Sequence, residues 1–250
     1  MDALEAVAIL TAGAGAGTIN AVVGSGTLIT FPVLLGFGYS PVTANVSNSL
    51  GLSPGSISGA IGYRRELTGQ GRRALRLGLA SIAGSVVGAI LLLALPASAF
   101  KAIVPGFIAL ALVLVVLQSR ITRALALHRT EVEHGGAPAW LGVFLSGIYG
   151  GYFGAAQGII LMAILGICIA DTLQRLNALK NVLVGTANLC AAVIFAFAAP
   201  HLSWGAAGLV AAGSVVGGQI GARAGRKLPP TALRALIVAV GIVAIVKLVA

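Results

Sequence analysis

Apolar residues run along this chain in long blocks, and the polar residues between them come in short clusters. Eight apolar stretches follow, at about 6–36, 41–63, 77–95, 99–118, 138–170, 176–199, 203–222 and 231–249. Six are near the ~20 residues that an α-helix needs to cross a bilayer. The first and fifth are longer, about 31 and 33 residues, and small or polar residues interrupt each. An unbroken helix of that length would reach ~47 Å, well past the hydrocarbon core. Glycine weakens a helix interior, so the first stretch is expected to break around Gly24-Ser25-Gly26-Thr27. The fifth is expected to break around Gly154-Ala155-Ala156-Gln157-Gly158.

Each long stretch heads a group of four, so the chain reads as two repeats. Gly24-Ser25-Gly26 stands about 132 residues before Ala156-Gln157-Gly158. At the same offset Ser47-Asn48-Ser49 falls on Leu179-Lys180-Asn181. The repeats span 1–118 and 138–250, with 119–137 as a polar cytoplasmic connection between them. Glycines recur every four residues at Gly213, Gly217, Gly221 and Gly225, and again at Gly51, Gly55 and Gly59. Ridges of small residues let helix backbones approach closely in lipid.

Composition fixes the solvent. Hydrophobic residues make up 58 % of the 250 and charged ones 9 %, and the mean hydropathy is +1.02. A soluble domain carries about 25 % charge, so this is an all-α integral membrane protein with the lipid bilayer as its partner. The formal charge of +10 fits basic loops facing anionic headgroups, with no basic-aromatic module for nucleic acid. Cys168 and Cys190 lack metal-ligand spacing and read as free thiols. The acidic start, Met1-Asp2-Ala3-Leu4-Glu5, does not read as a cleaved signal peptide.

Loop charges then choose a topology. Arg64, Arg65, Arg72, Arg73 and Arg76 follow the second stretch; Arg120, Arg123 and Arg129 sit between the halves; Arg223, Arg226, Lys227 and Arg234 lie about the junction between the last two stretches. Eight full crossings, the alternative, would put the third cluster opposite the other two. If the first and fifth elements dip in and return, all three clusters share the cytoplasmic side, as positive-inside topology expects. With Arg175, thirteen of the sixteen basic residues then lie inside, Lys101 and Lys247 face out, and Lys180 stays in the membrane. The fold expected is therefore two inverted structural repeats, each a broken, re-entrant element plus three transmembrane helices. A homo-oligomer is compatible with this reading.

Polar groups inside a membrane are costly and mark function. A helix that restarts there presents unpaired N–H groups and the positive end of its dipole, which hold anions. The candidate substrate-binding residues are Gly24, Ser25, Gly26 and Thr27 in the first break and Gly154, Gln157 and Gly158 in the second. Asn48, Lys180 and Asn181 join them from the helices that follow. Structural roles compete with binding: snorkelling for Lys180, interhelical hydrogen bonding for Asn48, and satisfaction of freed backbone groups for Ser25 and Gln157. Asp2, Glu5, Glu66, Glu131, Glu133 and Asp171 all fall in termini or loops, so no span carries a carboxylate. His128, His134 and His201 also lie outside the spans. A serine nucleophile at Ser25 would lack a base, and no zinc or Walker motif appears. An enzyme, a cofactor and a metal are not expected. The reading is a permease for a small anion, with one repeat rocking against the other. The alternatives are a permease for another small solute or a metal ion, and a non-transporting structural membrane protein.

The run Gly17-Thr18-Ile19-Asn20-Ala21-Val22-Val23-Gly24-Ser25-Gly26-Thr27-Leu28-Ile29-Thr30-Phe31-Pro32 resembles the head motif of the sulfite exporter TauE/SafE family. Ser40-Pro41, Ser47-Asn48-Ser49, and Ile57-Ser58 ahead of Arg64-Arg65 are also similar, as are Gly150-Gly151-Tyr152-Phe153-Gly154, Leu179-Lys180-Asn181-Val182-Leu183 and the tail Val216 to Arg223. The resemblance covers nearly the whole chain in order. It implies a multi-pass bacterial inner-membrane transporter of sulfite or organosulfonates. The chain departs from the pattern where Gly-Ser-Gly-Thr replaces a run of four glycines, and where Ser49 replaces a common lysine. Ala155-Ala156-Gln157-Gly158 likewise stands where more glycine or proline is typical.

Overall fold

A computed structural model describes residues 1–127, 135–199, 202–224 and 230–249. Of the residues singled out above, His128, Arg129, Glu131, Glu133, His134, His201, Gly225, Arg226 and Lys227 lie outside that set, as do the side chains of Arg234 and Lys247. The described residues form helices and no strands: α1 Ala3–Val22, α2 Thr27–Gly36, α3 Pro41–Gly62, α4 Gly71–Ala94, α5 Ala97–Leu127, α6 Gly136–Tyr152, α7 Gln157–Cys168, α8 Leu173–Ala198, α9 Trp204–Ala224 and α10 Pro230–Val249. By length and apolarity α1, α4, α5, α8 and α9 can each cross a membrane. The chain is an all-α integral membrane protein. Helix α5 runs on to Leu127, so residues 119–127, read from sequence as connection, continue a helix.

Both long elements break where the glycines lie, and both double back. A Cβ on Gly26 would sit 2.5 Å from the carbonyl oxygen of Ala16, so the chain after the first break returns alongside α1. At its far end Tyr39 donates its hydroxyl to Glu5 at 2.9 Å, which brings the end of α2 back to the start of α1. In the second half Gly142 packs on Ile164, and Gly135, just before α6, lies against Ile169, just after α7. Two helical hairpins result, α1–α2 and α6–α7, and they enter from opposite ends of the bundle.

Helix α3 leads from the open end of the first hairpin to the open end of the second, where its loop to α4 meets Asp171 and Arg175. Gly62 packs against Ala222, so α9 finishes at that same end. Arg64, Arg65, Arg72, Arg73, Arg76, Arg175 and Arg223 therefore gather at one end of the bundle. The described part of the basic clusters agrees with the re-entrant topology rather than eight full crossings.

The halves interlock. α1 lies on α9, α6 on α4, and α3 on both α8 and α9. Gly213, Gly217 and Gly221 put the α9 backbone directly on Leu10, Ala14 and Thr18 of α1, while Gly51 and Gly55 seat α3 on Val210 and Ser214. Serines cross-link the same helices: Ser214 donates to the carbonyl of Gly51 at 2.8 Å, and Ser81 to that of Leu183 at 2.8 Å. Rocking residues 1–118 against 138–250 would tear α1 from α9 and α6 from α4. The expected motion of one sequence half against the other does not suit this packing.

At the basic end one carboxylate ties the loops together. Asp171 accepts from Arg73 at 2.7 Å, from Arg175 at 2.9 Å and from the N–H of Thr172 at 2.8 Å. Burial alone would raise its pKa, but the hydrogen bonds from Arg73, Thr172 and Arg175 and the charge of Arg175 outweigh that and hold it below its ordinary value. Stabilisation by a carboxyl of this kind is present above its unfolded pKa of about 3.9 and is lost as pH falls through the lower folded value. Asp171→Asn should cost about 2–3 kcal/mol at pH 7. Thermal unfolding in detergent should show wild type and variant converging only below about pH 3.9. A constant gap down to strongly acidic pH would show that the carboxylate charge is not what ties the loops.

Candidate functional site

The two hairpin tips cross in the middle of the bundle. Gly158, in the first turn of α7, donates its N–H to the carbonyl of Gly24 at 3.0 Å. Neither residue has room for a side chain: a Cβ on either would come within 2.4 Å of the other's Cα. Gly24 also has φ of 86°, a left-handed conformation that glycine adopts without cost.

Each tip follows one plan. Ile19 accepts the N–H groups of Val23 and Gly24, just as Tyr149 accepts those of Phe153 and Gly154. Gly154, with φ of 75°, is thus the counterpart of Gly24, an offset of 130 at the tips. The offset reaches 132 only after the hairpins, where Ser40 and Thr172 cap α3 and α8 by accepting from Thr43 and Arg175 N–H. Sequence similarity placed Gly24-Ser25-Gly26 on Ala156-Gln157-Gly158; the backbone places it on Gly154-Ala155-Ala156. Helix α7 holds 12 residues and α2 holds 10, which absorbs the difference.

A helix that ends inside the membrane leaves carbonyls without partners. Across the halves, α8 supplies donors for α1. Lys180 donates to the carbonyls of Asn20 and Ala21 at 3.2 and 3.4 Å, Asn181 to Ala21 at 3.1 Å, and Asn177 to Ala21 at 3.4 Å. Lys180 is 0 % exposed, so it does not snorkel to the surface. Its amino group lies at the negative end of the α1 dipole. Helix α3 does the same for α6 with a neutral group, since Asn45 donates to the carbonyl of Tyr152 at 2.9 Å. Asn45 and Asn177 correspond at the offset of 132, as Asn48 and Lys180 do. Extending that offset one turn toward the helix starts would have found both.

The restarting ends of α2 and α7 face the same region. Asn48 joins Thr27 and Thr30: it donates to Thr27 at 3.2 Å and accepts from the Thr30 hydroxyl. Asn20 donates to Ser56 at 3.0 Å. Gln157 donates to the carbonyl of Ser146 at 3.1 Å. Gly158 approaches the Lys180 stem, the distance from its ideal Cβ to Lys180 Cδ being 3.1 Å. Ser25, Ser53 and Ser146 hydroxyls, with the Gln157 and Asn45 amide oxygens, are buried without partners among the described residues. Thus Gly24, Gly158, Lys180 and Asn181 form one cluster at the crossing. Thr27 and Asn48 form a neighbouring group beside α2, and Gly154 and Gln157 belong to the second tip. Asn20, Thr30, Asn45, Ser53, Ser146 and Asn177 add to the polar lining beyond the residues singled out from sequence.

The family model described as Sulfite exporter TauE/SafE matches residues 9–248, both hairpins and the helices around them. The chain belongs to that family. Among curated relatives of the TauE/SafE chain, the probable membrane transporter protein YfcA of Escherichia coli K12 is 26 % identical over 235 residues, 93 % of this chain and 85 % of its own. A probable membrane transporter protein of Haemophilus influenzae is 26 % identical over 234 residues, covering 92 % and 89 %. The probable membrane transporter protein ORF9 of a Sinorhizobium species is 28 % identical over 245 residues, covering 94 % and 88 %. No solved structure matches this TauE/SafE chain. Membership makes it a multi-pass membrane transporter with a small-molecule substrate.

Proposed function

We propose that this transporter is a permease for small oxyanions, with sulfite or an organosulfonate as its substrate. The observation that carries the reading is the crossing itself. Gly24 and Gly158 meet beside a lysine with no exposure to solvent, close to where α2 restarts at Thr27 and α7 at Gln157. Helix N-termini attract anions, and broken helices near the bilayer midplane are a recurring binding device in transporters with inverted repeats. Backbone N–H groups of Ser25, Gly26 and Thr27 would cradle the oxygens; at the second tip the N–H groups of Gly154, Gln157 and Gly158 are already held by the carbonyls of Tyr149, Gly154 and Gly24, so that tip would contribute shape and the Gln157 side chain. Lys180 would supply charge, and Asn48, Asn181 and Gln157 hydrogen bonds. Glu5, in the first turn of α1, and Asp171, in the loop between α7 and α8, hold carboxylates at the two ends of the bundle, away from the crossing. Cations favour oxygen ligands such as carboxylates, which weighs against a metal substrate. The basic end would face the cytoplasm, placing the protein in a bacterial inner membrane.

Purified protein in liposomes tests this. Flux of sulfite or sulfoacetate is expected to exceed that of chloride, taurine and Na⁺. Equal flux of every solute, or flux of Na⁺ alone, would reject an oxyanion permease.

A further inference from the structure

The two hairpin tips are built alike, yet their surroundings differ in how open they are. Beneath the first tip, toward the basic end, lies a cavity of about 200 Å³ lined by Val22, Gln118, Ile121, Ile159, Met162 and Asn177. Two amides thus line it amid apolar walls. One of them, Asn177, also reaches the carbonyl of Ala21 that Lys180 and Asn181 hold. The cavity therefore adjoins the crossing by way of a shared backbone group.

Repeat symmetry says what should stand at the other side. Offsets of 130 and 132 carry Val22 and Val23 to Tyr152 and Phe153, and Asn177 to Asn45. Here the space is full. Phe153 packs on Phe31 at a ring separation of 5.2 Å and on Phe107 at 6.2 Å, while Tyr152 meets Phe100 at 5.7 Å. Large aromatic rings stand where the first tip has the smaller Val22, which lines the cavity, and Val23, which is buried in the core. The equivalent asparagines register the difference: Asn45 is 0 % exposed, whereas Asn177 is part-exposed. Valine against aromatic at equivalent tip positions thus goes with a cavity on one side of the crossing and close ring packing on the other.

We infer that the cavity under Val22 is the loading pocket for an oxyanion entering from the basic end. Gln118 and Asn177 are its first hydrogen-bond donors, and the Phe31–Phe107–Phe153 cluster closes the route from the opposite end. The inference rests on the oxyanion reading for its ligand, but its geometry can be tested apart from transport. Gln118 was not among the residues marked from sequence, because it sits at the polar margin of an apolar stretch and looks like an ordinary helix end.

Thiol accessibility gives the test. In a full-length chain with Cys168 and Cys190, the free cysteines, changed to serine, Gln118→Cys and Asn177→Cys are introduced one at a time. Arg64→Cys marks the basic end and Lys101→Cys the opposite end, both being exposed positions. Inverted and right-side-out vesicles are treated with anionic sulfonatoethyl or cationic trimethylammonium-ethyl methanethiosulfonate, neither of which crosses membranes. Both pocket cysteines should react only from the face that labels Arg64→Cys, and about tenfold or more faster with the anionic reagent. Labelling from the Lys101→Cys face, from neither face, or faster with the cation would overturn the inference. Labelling as expected, alongside no flux of any panel anion, would reject the permease and leave the pocket standing. Selective flux with labelling from the Lys101→Cys face would do the reverse.

Discussion

Gly158→Ala is expected to unfold at distinctly lower temperature than wild type and to lose transport, although it adds one methyl group. That methyl would lie 2.4 Å from the Cα of Gly24, where backbone meets backbone and no flexible side chain can yield. Overpacking of this kind costs about 1–3 kcal/mol. Gly24→Ala should be worse, because its Cβ meets Gly158 at the same distance and its φ of 86° adds about 1–2 kcal/mol for a left-handed alanine. Gly15→Ala is the control, since a Cβ there meets nothing within 4 Å. Thermal unfolding in detergent and liposome flux would rank the three. If Gly158→Ala behaved like Gly15→Ala, the tips would not touch as described.

Lys180→Ala should reduce oxyanion flux by about 10- to 100-fold, corresponding to one charge-assisted hydrogen bond of about 1.5–3 kcal/mol. The fold should survive, because Asn177 and Asn181 continue to hold the carbonyl of Ala21. Only the carbonyl of Asn20 loses the donor that Lys180 gives it. Two results would count against a role in binding. Unchanged flux would remove Lys180 from the site, and failure to fold would make it a helix cap alone. A binding role and a capping role are compatible here, since an ammonium has three donors and two carbonyls engage it.

Much of this architecture was legible because membranes leave the backbone few choices. Two stretches too long for one crossing, each interrupted by glycine, could only overhang, tilt or break, and the basic loops selected the version that breaks and returns. The glycine ridges at Gly213, Gly217 and Gly221 announced a close helix neighbour, but nothing in their spacing said it would be α1. That pairing depends on complementary small residues, Ala14 and Thr18, near the other end of the sequence. The repeat register slipped by two at the tips for a similar reason. The match of one glycine drew Gly158 onto Gly26, whereas the left-handed turn that defines the tip belongs to Gly24 and Gly154. Lys180 was recognisable as an intramembrane charge. Its partners were not, since main-chain carbonyls exposed by a break carry no sequence signature of their own.

The crossed-over caps set a timetable for making the protein. The α1–α2 hairpin leaves the ribosome well before α8, yet the side chains that satisfy the end of α1 lie 160 residues downstream on α8, and its packing partner α9 comes later still. At ordinary rates of synthesis of about 5–20 residues per second, the hairpin waits roughly 10–30 s for its donors. During that interval the carbonyls of Asn20 and Ala21 cannot rest in hydrocarbon without cost. The first hairpin must therefore wait near water or near other protein, and it is seated only after helices translated long behind it.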